Sequence, residues 1–378
     1  MRAVVLWIIL CLAAPAATRG EPAKDLRLTF VGDIMTHPLI FSSGDYGELY
    51  KGVADVLKGS DLSFANLEFP VDSTKDQSGY PLFNGHRDYV RAAVEAGVKV
   101  FSTANNHAFD GREEGIFQTI RALTGIRDQA AGLLYFSGTR GNQTTPFLPE
   151  TILVKGVRIG FIAVTQFLND SDGGRFVHKV DYLDGDESDA FVSFVKEASP
   201  FYDLFIVSYH GDREYVQEPD PAKRLFFHRL VESGAQIVFS HHPHVLQEYE
   251  LVNVRGSRRL IMYSMGNFIS GMVLRRGDPP DPDGVLALTG DSVMLTAEVK
   301  VGAGEAGVAA LQPVPVGSYR SDKGETIVAK LDDLADGKAG VPAPWVAYFA
   351  QRRIRVERFL AGRSAAAPTL QAAARPAM

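Results

Sequence analysis

Val98-Lys-Val-Phe-Ser-Thr-Ala-Asn-Asn-His107 is the stretch whose reading decides the fold. It reads as a short buried strand over residues 98–102 that delivers Asn105, Asn106 and His107 at its carboxyl end. Other apolar runs end the same way. Arg27-Leu-Thr-Phe-Val-Gly32 reads as a strand ending at Asp33, and Asp61-Leu-Ser-Phe-Ala65 as one ending at Asn66 and Glu68. Leu204-Phe-Ile-Val-Ser208 ends at His210, and Ile237-Val-Phe239 at His241, His242 and His244.

Between these runs, apolar spacing predicts helices over residues 49–57, 88–96, 113–123, 188–198 and 221–232. Gly97, Gly125 and Gly234 read as their stops, and Pro221 as a first-turn proline. Residues 151–165 read as a hairpin around Lys155-Gly156. Residues 167–186 are polar and read as a loop. Past residue 245 the pattern changes to strands over 245–252, 259–264, 292–301 and 308–316, with a Gly/Pro/Asp-rich loop at 270–290. Residues 343–360 read as an amphipathic helix, and 361–378 as a disordered Ala/Pro-rich tail.

Alternating strands and helices predict a layered α/β arrangement with connections of one hand. Ligands of open α/β sheets bind outside the carboxyl ends of the strands. Asp33, Glu68, Asn106, His107, His210, His242 and His244 are therefore expected to converge on one rim, within a single domain over residues 25–360.

The 378 residues are 46% apolar and 22% charged, enough for a full core. A net charge of -6 leaves no basic stripe for nucleic acid. Residues 1–20 read as an export signal, with Arg2, an apolar run and Ala14-Pro15-Ala16, or as a retained N-terminal anchor. The expected location is the periplasm or cell surface, with membrane association if the segment stays. The one cysteine, Cys11, lies inside that segment. A cleaved chain has no thiol, so any metal must be held by nitrogen and oxygen.

Each ligand candidate has two readings. Asp33 after Gly32 suits a cation or a turn. Asn66 and Glu68 alternate onto one face and suit ligation or hydrogen-bonded support. Asn106 offers a neutral, hard oxygen, and His107 beside it a proton donor; the other reading of His107 is a backbone-bonded turn residue. His242 and His244, two apart in an expected extended segment stiffened by Pro243, point the same way and suit Mn, Fe, Zn or a similar ion. His210 is a natural further nitrogen. Two cations roughly 3.5–4 Å apart around a shared carboxylate use this kit of parts. His37, near Asp33, is read either as a further member of the site or, in preference, as a surface residue, and His86, His178 and His228 as helix-face or loop residues.

Six segments carry a resemblance. They are Phe-Val-Gly-Asp-Ile-Met35, Asp61-Leu-Ser-Phe-Ala-Asn-Leu-Glu68, Ala104-Asn-Asn-His-Ala-Phe-Asp-Gly111, Ser208-Tyr-His-Gly-Asp-Arg-Glu-Tyr215, His241-His-Pro-His-Val-Leu-Gln247 and Tyr263-Ser-Met-Gly-Asn-Phe268. In this order the chain resembles the CapA-type bacterial capsule proteins, named for poly-gamma-glutamate synthesis and similar to calcineurin-like metallophosphoesterases. The resemblance implies a four-layer α/β/β/α sandwich with one or two divalent ions at the strand rim. Asp33 and His244 would hold one ion, and Asn106, His210 and His242 the other. Glu68 stands where a bridging Asp is usual, and His107 takes the place of the catalytic histidine. Asn66, Asn105, His241 and Asn267 are assigned to the substrate side. Arg275 and Arg276 are read either as solvated loop residues or as contacts to substrate carboxylates or phosphates. The chain departs from the phosphoesterase pattern at Met35, where Asp-x-His has its histidine, and at Glu68.

Three functions follow as expectations. The first is an exported metal-dependent hydrolase in synthesis, export or trimming of an anionic capsule polymer such as poly-gamma-glutamate, partnered by a membrane-bound synthesis complex. The second is a periplasmic metallophosphoesterase with a phosphorylated substrate. The third is a non-catalytic polymer-binding assembly subunit that kept the fold.

Overall fold

A computed structural model describes residues 23–42, 44–130, 133–141, 147–272, 279–302, 305–320, 326–338 and 340–364. The segment read as an export signal, with Cys11, as well as Arg275, Arg276 and the stretch beyond residue 364, lie outside the described residues.

The strands are β1 (Lys24–Ile34), β2 (Leu62–Leu67), β3 (Val100–Ser102), β4 (Tyr135–Ser137), β5 (Glu150–Val154), β6 (Val157–Thr165) and β7 (Leu204–His210). They continue with β8 (Ile237–His241), β9 (Tyr249–Val254), β10 (Ser257–Met262), β11 (Asn267–Ile269), β12 (Ser292–Gly302), β13 (Glu305–Arg320) and β14 (Thr326–Lys330). The helices are α1 (Pro38–Phe41), α2 (Ala54–Lys58), α3 (Arg87–Ala96), α4 (Arg112–Gln129), α5 (Gly185–Ala198), α6 (Pro221–Glu232), α7 (Val285–Leu288), α8 (Leu331–Ala335) and α9 (Ala343–Ser364).

Two sheets result. One has the order β14-β13-β12-β1-β2-β3-β4, with β11 also paired to β1; the other has the order β5-β6-β7-β8-β10-β9. In the first, β1, β2, β3, β4 and β11 run parallel; in the second, β6, β7, β8 and β10 do. The functional ends of these strands therefore share a direction within each sheet.

Alternation sorts the side chains into layers. Leu28 and Phe30 of β1, Phe64 of β2, Phe161 of β6, Ile206 of β7 and Phe239 of β8 form one core between the sheets. Phe30 and Phe239 meet across it with ring centres 5.2 Å apart, and Phe64 and Phe161 at 5.6 Å. The other faces are covered by helices. Val31, Ala65 and Phe101 pack with Leu57, Val90 and Leu123 of α2, α3 and α4. Val207 and Val238 pack with Phe191 of α5 and Phe226 and Leu230 of α6. The four-layer α/β/β/α sandwich is thus the observed architecture.

Local expectations differ from the structure at several points. The helix expected over 49–57 is a 3-10 turn at Glu48–Tyr50 followed by α2. Gly52 between them lies against β14, where a Cβ would come within 2.7 Å of the Ala329 side chain. Gly125 does not end its helix: α4 continues to Gln129 and buries Ile126. The strand expected over 245–252 begins at Tyr249, because the chain bends over residues 242–245 and Leu246 makes only an isolated bridge to Met265. The helix expected to stop at 360 runs to Ser364, into the stretch read as tail. Strands β4, β11 and β14 had no signal.

Candidate metal centre

The alternation that builds the inter-sheet core also builds the centre. Along β2, Leu62 and Phe64 face the other sheet, and Asn66 and Glu68 continue that face beyond the core. Along β7 the inward series is Leu204, Ile206, Ser208 and His210; along β8 it is Ile237, Phe239 and His241. Each strand thus changes from apolar to polar on the same face at the same end. A register shift in β1 after Phe30 brings Asp33 opposite Asn66, and β11 sets Asn267 beside Asp33 from the other side.

The side chains meet there, all buried. His210 Nε2 lies 2.7 Å from Asn106 Oδ1, 3.1 Å from His242 Nδ1 and 3.6 Å from Glu68 Oε1. His244 Nδ1 lies 3.4 Å from Asp33 Oδ2, and its Nε2 is 3.8 Å from the same Glu68 oxygen. Glu68 therefore stands between the two histidine groups. Two clusters are close enough to share an ion: Asp33, His210 and His241, and Glu68, His242 and His244.

A surrounding set of polar residues orients these donors. Asn66 Nδ2 donates to Asp33 Oδ1 at 2.8 Å, and Asn105 Nδ2 donates to the Leu67 carbonyl at 2.8 Å. The Nδ1 atoms of His210 and His241 are 2.7 Å apart, and His241 Nε2 lies 2.8 Å from Ser208 Oγ. His244 Nδ1 meets Asn267 Oδ1 at 3.0 Å. Asn66, His241 and Asn267, expected on the substrate side, are thus engaged with the donors themselves. The reason for His241 is alternation: it shares the inward face with Phe239.

His242 and His244 reach the cluster differently from the sequence expectation. They are not in an extended segment but in a turn, with φ of 101° and 57°. Such values are costly for non-glycine residues and cluster at functional sites. The Tyr215 N–H donates to the Pro243 carbonyl at 2.9 Å and pins this turn.

His107 borders the cluster. Its Nδ1 is 2.7 Å from Asp110 Oδ2, which also accepts from the Phe83 N–H at 2.8 Å. The Phe83 ring packs edge-on against the imidazole at 4.5 Å. Sequence reading missed Asp110 as a partner, although its place three residues after His107 was a signal. It also missed Asn169, from a polar loop with no motif. His37, read as a surface residue, is mostly buried beside the centre. It accepts from the Gly271 N–H at 3.2 Å, and its ring meets Phe83 at 5.4 Å. Burial, then the charges of His244 and His107, push its pKa down to about 4. Met35 is buried, and its sulfur faces Ser270 Oγ.

The electrostatics fit a bound cation. Burial and the Asp33 carboxylate push the Glu68 pKa well above the usual range. For Asp33, burial raises the pKa, but the hydrogen bond to His244 and the nearby His241 and His244 bring it below its ordinary value. Burial and neighbouring imidazoles push His210 and His242 well down, and burial holds His241 at about 4. Buried neutral imidazoles offer lone pairs. Glu68, whose charged form burial and Asp33 disfavour, has only imidazoles, and no lysine or arginine, as ion partners among the described residues. Glu68 Oε1 accepts no hydrogen bond although fully buried. A nitrogen and oxygen donor set of this kind fits a divalent transition metal.

Residues 27–272 match the family described as bacterial capsule synthesis protein PGA_cap. The capsule biosynthesis protein CapA of Bacillus anthracis is 28% identical over 274 residues, covering 68% of this chain and 62% of that protein. The PGA biosynthesis protein CapA of Bacillus subtilis strain 168 is 26% identical over 253 residues, covering 65% and 63%. The alignments thus span under two thirds of the length of these relatives. Among solved structures, a calcineurin-like phosphoesterase of Bacillus subtilis is similar at 11% identity and a TM-score of 0.36, covering 89% of this chain and 99% of that one. With the match extending over residues 27–272 of the 378, the chain belongs to the PGA_cap family of bacterial capsule synthesis proteins.

Proposed function

We propose that this protein is an exported metal-dependent hydrolase that works in the synthesis, export or trimming of an anionic polymer of the bacterial surface, such as poly-gamma-glutamate. The names of its relatives, capsule and PGA biosynthesis proteins, support the polymer. Among the described residues no helix is long and apolar enough to cross a membrane.

One observation carries the hydrolase: the convergence of Asp33, Glu68, Asn106, His210, His242 and His244 around a buried, unpartnered Glu68 oxygen. Asn106, His210, His242 and Glu68 would hold one ion, as their approach to His210 Nε2 favours, and Asp33 and His244, with Glu68 between, a second. These residues and His241 also group as Asp33 with His210 and His241 and as Glu68 with His242 and His244, so the division between two ions is part of the proposal. Met35 leaves that second site short of one nitrogen. When bound, a divalent ion lowers the pKa of a water ligand towards ~7 and polarises a phosphoryl or acyl oxygen. The chain supplies the rest. Asp110 takes the Nδ1 side of His107 and fixes its tautomer, which leaves Nε2 to move a proton. Ser208, His241 and Asn66 hold the ligands in place.

The test is elemental analysis of the purified protein, then turnover of poly-gamma-glutamate and bis(p-nitrophenyl) phosphate with added Mn²⁺, Zn²⁺ or Fe²⁺. His242→Ala is expected to lose tight metal binding and turnover together. Unchanged metal content in that variant overturns the assignment. Cleavage of the aryl phosphate but not the polymer moves the protein to the phosphoesterase reading. No turnover of either by the loaded protein leaves a polymer-binding assembly subunit.

A further inference from the structure

Asn169 sits in the polar loop between β6 and α5, on the second sheet, yet it reaches the donors supplied by the first. Its backbone N–H donates to the Asn106 carbonyl at 3.0 Å. Its side-chain Oδ1 accepts from Asn106 Nδ2 at 3.3 Å. An asparagine amide has two ends, an acceptor and a donor, and nothing in the amide itself chooses between them. With Asn169 Oδ1 facing it, Asn106 turned over would set two oxygens against each other. The observed orientation is the satisfied one, and it aims Asn106 Oδ1 at His210 Nε2, 2.7 Å away.

The other end of the same side chain meets His107. Asn169 Nδ2 is 3.2 Å from Nδ1 and 3.4 Å from Nε2. An atom almost equidistant from both ring nitrogens lies over the face of the imidazole, because in the ring plane it would collide with the ring carbons. The amide therefore covers the face and leaves the edges free: Nδ1 for Asp110, Nε2 for a reacting group. Asn169 is exposed, whereas Asn106 and His107 are buried. The loop has its own anchors, since Asp170 Oδ1 accepts from the Asp172 N–H and Asp170 pairs with Arg112.

We propose that Asn169 is a positioning residue for the centre, acting on metal affinity through the orientation of the Asn106 amide while it holds the His107 ring. This rests on the reading of Asn106 as a ligand.

The test is Mn²⁺ titration calorimetry on the full chain, with thermal unfolding of the metal-free protein as a check on folding. Asn169→Leu is expected to weaken Mn²⁺ binding about 10–100-fold, the usual cost of losing such a support. Asn169→Asp keeps an acceptor for Asn106 Nδ2 and is expected to retain at least wild-type affinity. In an Asn106→Ala background, Asn169→Leu is expected to change nothing further, because the amide it orients is gone. Wild-type affinity in Asn169→Leu, beside weak binding in Asn106→Ala, overturns this inference alone. So does a loss from Asn169→Leu that is equally large without the Asn106 amide. Normal affinity in Asn106→Ala overturns the ligand reading and this inference with it.

Discussion

At the scale of single residues, the histidines divide by what burial does to them. His178 is buried away from the metal centre, with Nδ1 3.2 Å from the Ala163 carbonyl. Burial, reinforced by the Arg140 charge, pushes its pKa down to about 4. In the folded chain it stays neutral down to that pH, while in the unfolded chain it takes a proton near 6.5. The stability it contributes is complete above pH 6.5 and is lost as the pH falls from there to about 4. His178→Asn keeps a side-chain N–H at the Nδ1 position for the Ala163 carbonyl but does not titrate. Between pH 7.5 and 5 the wild type is expected to lose about 2 kcal/mol more than this variant in urea unfolding. Parallel pH profiles for the two proteins would show that His178 is not the group responsible. The residue types of the centre were legible because they stand at the ends of apolar runs. The roles of His241 and His242 were not: one continues the inward face of β8, and the other leaves it through a strained turn.

At the scale of elements, the best-read pieces carry their own signals. α3 ends at Gly97 with φ of 118°, and α6 begins with Pro221 behind Asp220, whose side chain accepts from the Ala222 N–H. The hairpin turns at Lys155 and Gly156, both with positive φ. Strands of three residues such as β4 and β11 have no period to read, and tertiary pairing alone creates them. The contact of β1 with the segment entering β11 is the tightest of these. A Cβ on Gly32 would stand 1.8 Å from the Gly266 carbonyl oxygen, which accepts from the Asp33 N–H at 3.1 Å. Gly32→Ala is therefore expected to cost about 3 kcal/mol and to shift Asp33. An unchanged urea midpoint with full Mn²⁺ affinity would mean that the two segments separate without penalty.

At the scale of the whole molecule, the last third of the chain completes both sheets. β9 and β10 extend the second, while β12, β13 and β14 extend the first from β1 outwards. The family match ends at residue 272, yet later residues support the centre. Asn267 Nδ2 donates to the Thr289 carbonyl at 3.0 Å. Arg352 of α9, fully buried, pairs bidentately with Asp291 through Nε and Nη2 and donates from Nη1 to the Pro282 carbonyl. Burial pushes Asp291 up to about 6, against the pull of Arg352. Arg352→Leu leaves that carboxylate buried and unpaired and is expected to cost about 3–5 kcal/mol. The double variant Arg352→Leu with Asp291→Leu is expected to recover part of the loss, because no charge is then stranded. Equal stability of the single variant and the wild type would show that α9 is not held by this pair.

The sequence by itself determined the layered α/β class, the placement of polar residues at strand ends and most of the candidate donors that meet in the cluster. These follow from periods of two and 3.6 and from what each side chain can ligate, which are properties of neighbours along the chain. Only the tertiary structure decided which donors share a point, that His241 and Asn66 stand among the donors, that Asn169 reaches Asn106 and His107, and that Arg352 pairs with Asp291. Those facts depend on the meeting of two sheets and a distant helix, and no local pattern records a contact between residues 63 apart in the chain, as Asn106 and Asn169 are, or 61 apart, as Asp291 and Arg352 are.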